Sequence, residues 1–344
     1  MEQRRFADAE SLRPVVRAVF GAGRDVTRVE RLPGGSKKGA YRVVADDGGT
    51  ALVYVWNAAE DFWQGVLPSG ADDPLDPFSH ASGLDLFEAA ARRLEAAGVR
   101  CPWLLLADRG HALYPGDIAV VEYVPDGSLE ALLETDPAAA SRALGTLADW
   151  LAAMEACQAA GFGKAGVVDA GLTSRGESCV QVVLDRALRE VGEICARDER
   201  AAGEGGRLRE LLHVLAEPLG PRGSFGLVHG ELGPDHILLD RNGDPVLIDI
   251  EGLMYFDPEW EHVFLRLRFG NHYPRLATPA LDPDRLRFYQ LAQHLNLVAG
   301  PLRIADSGHS EREWFLEVAG YHLDRKSTRL NSSHVSQSRM PSSA

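Results

Sequence analysis

At 344 residues the chain has room for about two domains of ~150 residues, or for two lobes around one cleft. Its 45% hydrophobic and 25% charged residues exclude a largely disordered chain. A formal charge of −14 argues against a nucleic-acid partner, which usually meets a basic face, and favours a cationic small molecule through long-range attraction. Four scattered cysteines (Cys101, Cys157, Cys179, Cys195) form no CxxC pair and fit a reducing compartment. The N-terminal stretch has no apolar signal core, and no run approaches the ~20 apolar residues of a membrane span. The expected location is the cytoplasm, with no membrane partner; nothing in the sequence fixes the oligomeric state.

In chain order, the N-terminal third reads as a sheet. Val26–Leu32, Ala40–Ala45 and Ala51–Trp56 are short β-prone runs, the first two joined by PGGSKKG. Asp85–Ala97 follows as a helix with Leu84, Phe87, Ala91 and Leu94 at helical spacing. Trp103–Leu106, Ala112–Tyr114 and Ile118–Tyr123 read as further strands. Past Pro125 the pattern turns helical: DGSLEALL with Asp126 or Ser128 as cap, then Ser141–Ala159, Val180–Ala196 and Leu208–Leu219. Short strands return over Gly226–Ile250, and the chain from Glu259 is mostly helical. The expectation is an α+β, bilobal chain: residues 1–124 as a small β-sheet lobe for nucleotide, 125–325 as a larger, mainly helical catalytic and substrate lobe. Residues 326–344, with seven serines and no acid, break from the preceding composition and read as a non-native or disordered tail.

The chemistry concentrates in LVHGELGPDHILLDRNGDPVLIDIEG. Asn242-Gly243 between two apolar runs signals a hairpin, which folds Asp249 back toward Glu231 and His236. Such convergence suits phosphoryl transfer. One carboxylate orients the attacking hydroxyl and takes its proton, while other groups hold divalent ions against the phosphates.

His229-Gly230-Glu231, His236 five residues on, the hairpin and Asp249 together resemble the aminoglycoside phosphotransferase family, with its H-G-D-x-x-x-x-N frame and metal-binding aspartate. Asp257-Pro258, eight residues past Asp249, and then Glu261 extend the likeness. The resemblance implies a protein-kinase-like fold, ATP or GTP as donor, Mg²⁺ (or Mn²⁺) as ion, and a hydroxylated small-molecule acceptor. It places Glu231 and His229 in the catalytic segment, and Asp249 and His236 at the metal. His229 has a competing role as a buried brace, and Asp257 reads as an anchor for the loop. Asp235 and Glu251 read as solvated neighbours.

Three departures mark this chain. Glu231 replaces the family's aspartate and adds one methylene of reach. His236 replaces an asparagine, bringing an imidazole where Mg²⁺ prefers oxygen; either the metal differs, or one metal site is lost, or His236 contacts phosphate as a cation. The third strand, ALVYVW, carries no lysine for the nucleotide phosphates. At the nucleotide end, Gly34, Gly35, Ser36, Lys37, Lys38 and Gly39 form a candidate phosphate-covering loop, with Lys37 or Lys38 standing in for the missing lysine. Glu88 matches the helix position of that lysine's usual partner. The Glu122 carbonyl and Val124 N–H match the connector that would hold the base. The contrasting expectation is a pseudokinase-like binding protein that keeps the cleft without turnover.

Overall fold

A computed structural model describes residues 4–33, 36–63, 73–125, 127–278, 280–309 and 311–329. Helix α1 (Ala9–Phe20) opens the chain, capped by Asp8, whose carboxylate accepts from the Ser11 N–H while Ser11 reciprocates. Strands β1 (Val26–Arg31), β2 (Gly39–Ala45) and β3 (Thr50–Trp56) follow, then α2 (Leu84–Ala96), β4 (Leu104–Asp108) and β5 (Asp117–Glu122). The five strands form one antiparallel sheet in the order β1-β2-β3-β5-β4.

Strict alternation gives this sheet two buried faces. Tyr41, Val43, Val53, Val55, Ile118 and Val120 point to one side, where α1 covers them with Leu12, Val15 and Val16. Tyr54, Trp56, Ala119 and Val121 point to the other, where they meet Phe87 and Leu94 of α2. That second core runs without a break into the rest of the chain.

The larger region begins with α3 (Leu129–Thr135), capped by Ser128, and α4 (Pro137–Ala156). Next come β6 (Gln158–Ala159), β7 (Gly163–Lys164), α5 (Ala165–Asp169), α6 (Cys179–Arg197) and α7 (Glu199–Ala216). The functional segment contributes β8 (Phe225–Val228), β9 (Ile237–Leu239), β10 (Pro245–Leu247) and β11 (Met254–Phe256). Helices α8 (Pro258–Phe269), α9 (Pro283–Asp306) and α10 (Arg312–Arg329) complete it. β9 and β10 pair as the expected hairpin, and β6-β8-β11-β7 form a small second sheet. Among the described residues no helix is long and apolar enough to cross a membrane.

Three sequence expectations change here. Ala112–Tyr114 is a loop, because the Asp108 carboxylate takes the Gly110 and Leu113 N–H groups (2.9 and 2.8 Å) and His111 adopts a left-handed φ of 53°. The N-terminal region carries a helix, α1, beside its sheet. Helix α10 continues to Arg329, past the compositional break at Lys326; the remainder of the expected tail, 330–344, lies outside the described residues.

The connection between β3 and α2 reaches across to the large lobe. Phe78 stacks on Phe256 and Trp260 with ring centroids 5.5 and 5.0 Å apart, under the Arg186 guanidinium at 4.5 Å. Ser79 receives a hydrogen bond from the buried Lys164 amine, and Arg175 N–H donates to the Leu75 carbonyl (2.8 Å). Phe62 meets His309 at 4.8 Å. The small lobe is thus joined to the large one by this strap as well as by the connector after β5.

Candidate active site

The turn after β8 is built from backbone upward. Gly230 has φ 91°, a left-handed conformation open to glycine at little steric cost. Its N–H donates to Glu261 Oε2 at 2.6 Å. Glu261 is 2% exposed, so burial pushes its carboxyl up to about 7, against the opposing pull of N–H donors from Gly230, His229 and Leu232. Glu261 on α8 therefore anchors this turn. Asp257, expected to do so, instead fixes α9, through Arg285 (2.5 Å) and the Tyr289 hydroxyl (2.6 Å).

His229 is 2% exposed and lies 3.0 Å from the Ile248 carbonyl through Nε2. A carbonyl only accepts, so Nε2 carries the proton. Burial pushes this imidazole down to about 4 and keeps it neutral. It ties the segment before Glu231 to the segment before Asp249, as a brace does. Glu231 is exposed, and its carbonyl lies 2.9 Å from His236 Nδ1. The same logic puts the His236 proton on Nδ1. Its Nε2 lies 4.0 Å from Asp249 Oδ2 and 3.7 Å from Asp235 Oδ2.

The hairpin delivers Asp249 as expected. Asp240 closes its loop by accepting from the Asn242 and Asp244 N–H groups, and Gly243 takes φ 79°. Asp249 itself sits at φ 58°, one of two non-glycine residues with positive φ among the described residues. Such a conformation costs of order 1 kcal/mol and persists where surrounding contacts enforce it.

Lys38 supplies the partner for Asp249. Its amine lies 2.8 Å from Asp249 Oδ1 and 2.6 Å from Glu251 Oε1. Burial alone would lower that amine; the Asp249 and Glu251 carboxylates outweigh it and raise the amine above its ordinary value. In return the Lys38 ammonium holds the Asp249 carboxyl well below the usual carboxylate range. Lys38 also lies over the Tyr54 ring, 5.0 Å from its centroid. Tyr54 stands on β3 across from Ala40, so the inward face that lacks a lysine on β3 receives one from the loop just before β2.

Asp235 and Glu251 are not solvated neighbours. Asp235 is 6% exposed and takes a 2.6 Å bond from Arg268; Glu251 is 5% exposed and holds Lys38. Local sequence gave no signal for either, because their partners stand 33 and 213 positions away.

The rest of the candidate phosphate loop is organised by the strap. Ser36 Oγ accepts from Trp63 Nε1 (2.9 Å), and the Lys37 carbonyl accepts from the Ser82 hydroxyl (3.0 Å). A cavity of ≈ 290 Å³ opens between loop and strap, with Lys37, Asp61 and His80 on its wall. At Gly39 a Cβ would collide with the buried Glu60 carboxylate, which Arg31 (2.8 Å) and Tyr41 hold; this glycine serves packing rather than phosphate approach. Gly34 and Gly35 lie outside the described residues.

Glu88 is not brought to Lys38. Its carboxylate pairs with Arg109 at the end of β4, because Phe87, not Glu88, faces the core. Glu122 closes β5, with its carboxylate on Arg100 (2.6 Å), and Val124 follows half-buried in the connector.

A small β-sheet lobe, a mainly helical lobe and a brace–hairpin unit presenting Asp249 opposite a loop lysine define a kinase-like fold. Residues 28–305 match the phosphotransferase enzyme family, and the chain belongs to that family. Its fold is similar to that of a thermostable mutant of the aminoglycoside phosphotransferase APH(4)-Ia (17% identity, 93% of this chain and 100% of that one, TM-score 0.61). It is also similar to the spectinomycin phosphotransferase APH(9)-Ia in complex with ADP and spectinomycin (12%, 93% and 95%, 0.63). A third similar structure is the choline kinase LicA from Streptococcus pneumoniae (13%, 92% and 97%, 0.59). No curated protein matches the sequence.

Proposed function

We propose that this protein transfers the γ-phosphate of ATP to a hydroxyl of a small molecule. The observation that carries the reading is the meeting of Lys38, Asp249 and His236 at one point, in a member of a phosphotransferase family. Residues 1–124 would hold the nucleotide, with its base at the Glu122 carbonyl and the Val124 N–H. Residues 125–325 would hold the acceptor. The ADP complex of the spectinomycin phosphotransferase supports an adenine nucleotide as donor. The formal charge of −14 supports a cationic acceptor and a nucleic-acid-free role, and the four scattered cysteines support a cytoplasmic one.

Asp249, with its solvent-facing carboxylate, and His236, whose Nε2 lies 4.0 Å from it, are the residues that would hold a divalent ion. When bound, such an ion neutralises charge on the nucleotide phosphates. Lys38 adds fixed positive charge beside the same phosphates. Glu231, exposed at the tip of the turn, orients the acceptor hydroxyl and takes its proton as the oxygen attacks phosphorus. His229, neutral and buried, contributes by keeping the Glu231 and Asp249 segments in register.

A second reading, a nucleotide- or ligand-binding protein without turnover, is favoured by one observation: the Lys38 amine already engages both Asp249 and Glu251. ADP formation from ATP, measured with Mg²⁺ and Mn²⁺ over a broad acceptor panel, separates the two. The phosphotransferase reading expects acceptor-dependent turnover that falls ~10²-fold or more in Glu231→Gln and Asp249→Asn. Equal background in all three proteins with every acceptor overturns it.

A further inference from the structure

Taking the phosphotransferase reading as its ground, we propose that Glu251 is the positioning residue for Lys38: its buried carboxylate keeps the ammonium in place while nucleotide phosphates displace Asp249 from it. Three observations carry this. First, two carboxylates share the ammonium unequally. Lys38 Nζ lies 2.6 Å from Glu251 Oε1 and 2.8 Å from Asp249 Oδ1, yet the Glu251 side chain is 5% exposed and that of Asp249 47%. Asp249 can exchange the ammonium for solvent or a ligand. Glu251 cannot, because a carboxylate left buried without its cation is costly. Its Oε2 is already buried without a hydrogen-bond partner, so its compensation rests on Lys38.

Second, Glu251 is fixed by packing where Lys38 is not. It sits in the short turn Ile250–Gly252. Ile250 is fully buried, in one core with Phe87 and Leu94 of α2, and its carbonyl accepts from the Leu253 N–H at 3.0 Å. Lys38 carries its ammonium on a flexible four-carbon stem. A fixed carboxylate beside a movable ammonium sets where the ammonium comes to rest. The Tyr54 ring, with its centroid 5.0 Å away, adds a second constraint.

Third, the acid on the helix is engaged elsewhere. Kinase-type sites pair their phosphate-binding lysine with a helix glutamate. Glu88, on α2, is paired with Arg109 instead. Glu251 meets the same need from the other side of the cleft: it stands in the larger region, whereas Lys38 belongs to the sheet region. The pair therefore spans the cleft. Lys38 meets the phosphates as a group already oriented, not as one they must recruit and order.

The test measures ATPγS binding by calorimetry, with Mg²⁺ present, in the full wild-type chain, Glu251→Gln, Lys38→Ala and the double variant. Charge alone predicts that Glu251→Gln tightens binding, since it removes a negative group near the phosphates. Positioning predicts the opposite sign: a loss of about 10-fold in the wild-type background that vanishes or reverses in the Lys38→Ala background. An unchanged or tighter affinity in Glu251→Gln, or an equal loss in both backgrounds, overturns the positioning inference alone. A crystal structure of wild type with ATPγS depends on no variant folding. It is expected to show Lys38 Nζ on Glu251 and on a phosphate oxygen, with Asp249 released. An amine that has left Glu251, or that still holds Asp249, overturns the inference. No ATPγS binding by wild type overturns the phosphotransferase reading and the positioning inference together.

Discussion

The candidate catalytic turn and the candidate phosphate loop face each other across Asp249, but they are held in different ways. The turn from His229 to His236 is fixed from beneath by two side chains of α8, Glu261 on the Gly230 N–H and Arg268 on Asp235, and by its own His229 ring on the Ile248 carbonyl. The loop from Ser36 to Gly39 is fixed by partners from the strap and by one ammonium, Lys38, reaching into the cleft. The first is a preorganised platform whose positions follow from packing. The second is an adjustable contact whose charge could be shared with a ligand.

The sharpest way to break this contrast is to cut a support of the platform. Arg268→Met leaves the Asp235 carboxylate buried without its partner. We expect a loss of about 3–5 kcal/mol in urea unfolding, with Asp235→Asn in the same chain recovering part of it. A loss under about 0.5 kcal/mol would place the pair in the class of surface contacts.

The next effect concerns pH. The Glu261 carboxyl is raised from 4.5 to about 7 in the folded chain, so folding takes up a proton between those values. Its stabilising contribution is complete below about pH 4.5 and is lost as pH rises through about 7, a change of roughly 3 kcal/mol. Unfolding free energies measured from pH 4.5 to 8 are expected to fall over this window in wild type and to lose that component of the slope in Glu261→Gln. Equal slopes would show that Glu261 is charged in both states.

At the phosphate loop, Lys38→Ala is expected to weaken use of ATP by roughly 10²-fold in kcat/KM, a loss typical of removing one charge-stabilising group. Tyr54→Lys in that background returns an ammonium to the same face from β3 and is expected to recover part of it. No recovery would mean that the position of Lys38, and not only its charge, is required. The smallest effect is expected at Glu88. Because its carboxylate is spent on Arg109, Glu88→Gln should change the KM for ATP by less than ~3-fold. A tenfold rise would mean that α2 rotates to deliver Glu88 to the nucleotide.

The contrast also explains what the sequence could disclose. The hairpin was legible because Asn242-Gly243 and its flanking apolar runs are local signals, and Asp249 followed from it. The strands of the small lobe were legible from β-branched runs, though Ala112–Tyr114 was not, since one side chain, Asp108, diverted its backbone. The partners of Asp235, Glu251 and Glu88 were hidden because each is an ion pair made through tertiary contact. Lys38 was visible only as one of two adjacent lysines; the side of the sheet it serves depends on the register of β2 against β3. Helix α1 did carry a signal, Asp8 with Ser11 three residues on, which the strand pattern around it obscured.

The strap between β3 and α2 has a mechanical consequence. Two bodies joined at one flexible point can rotate about three axes. Joined at two separated points, they keep one, the line through both attachments. The connector after β5 is one such point, and the Phe78–Lys164–Arg175 anchorage is the other. Even that one rotation is opposed here, by the core that α2 shares with the helical region and by the Arg93–Asp169 pair (3.0 Å), so a turn of the sheet region against the helical region has to break packed contacts.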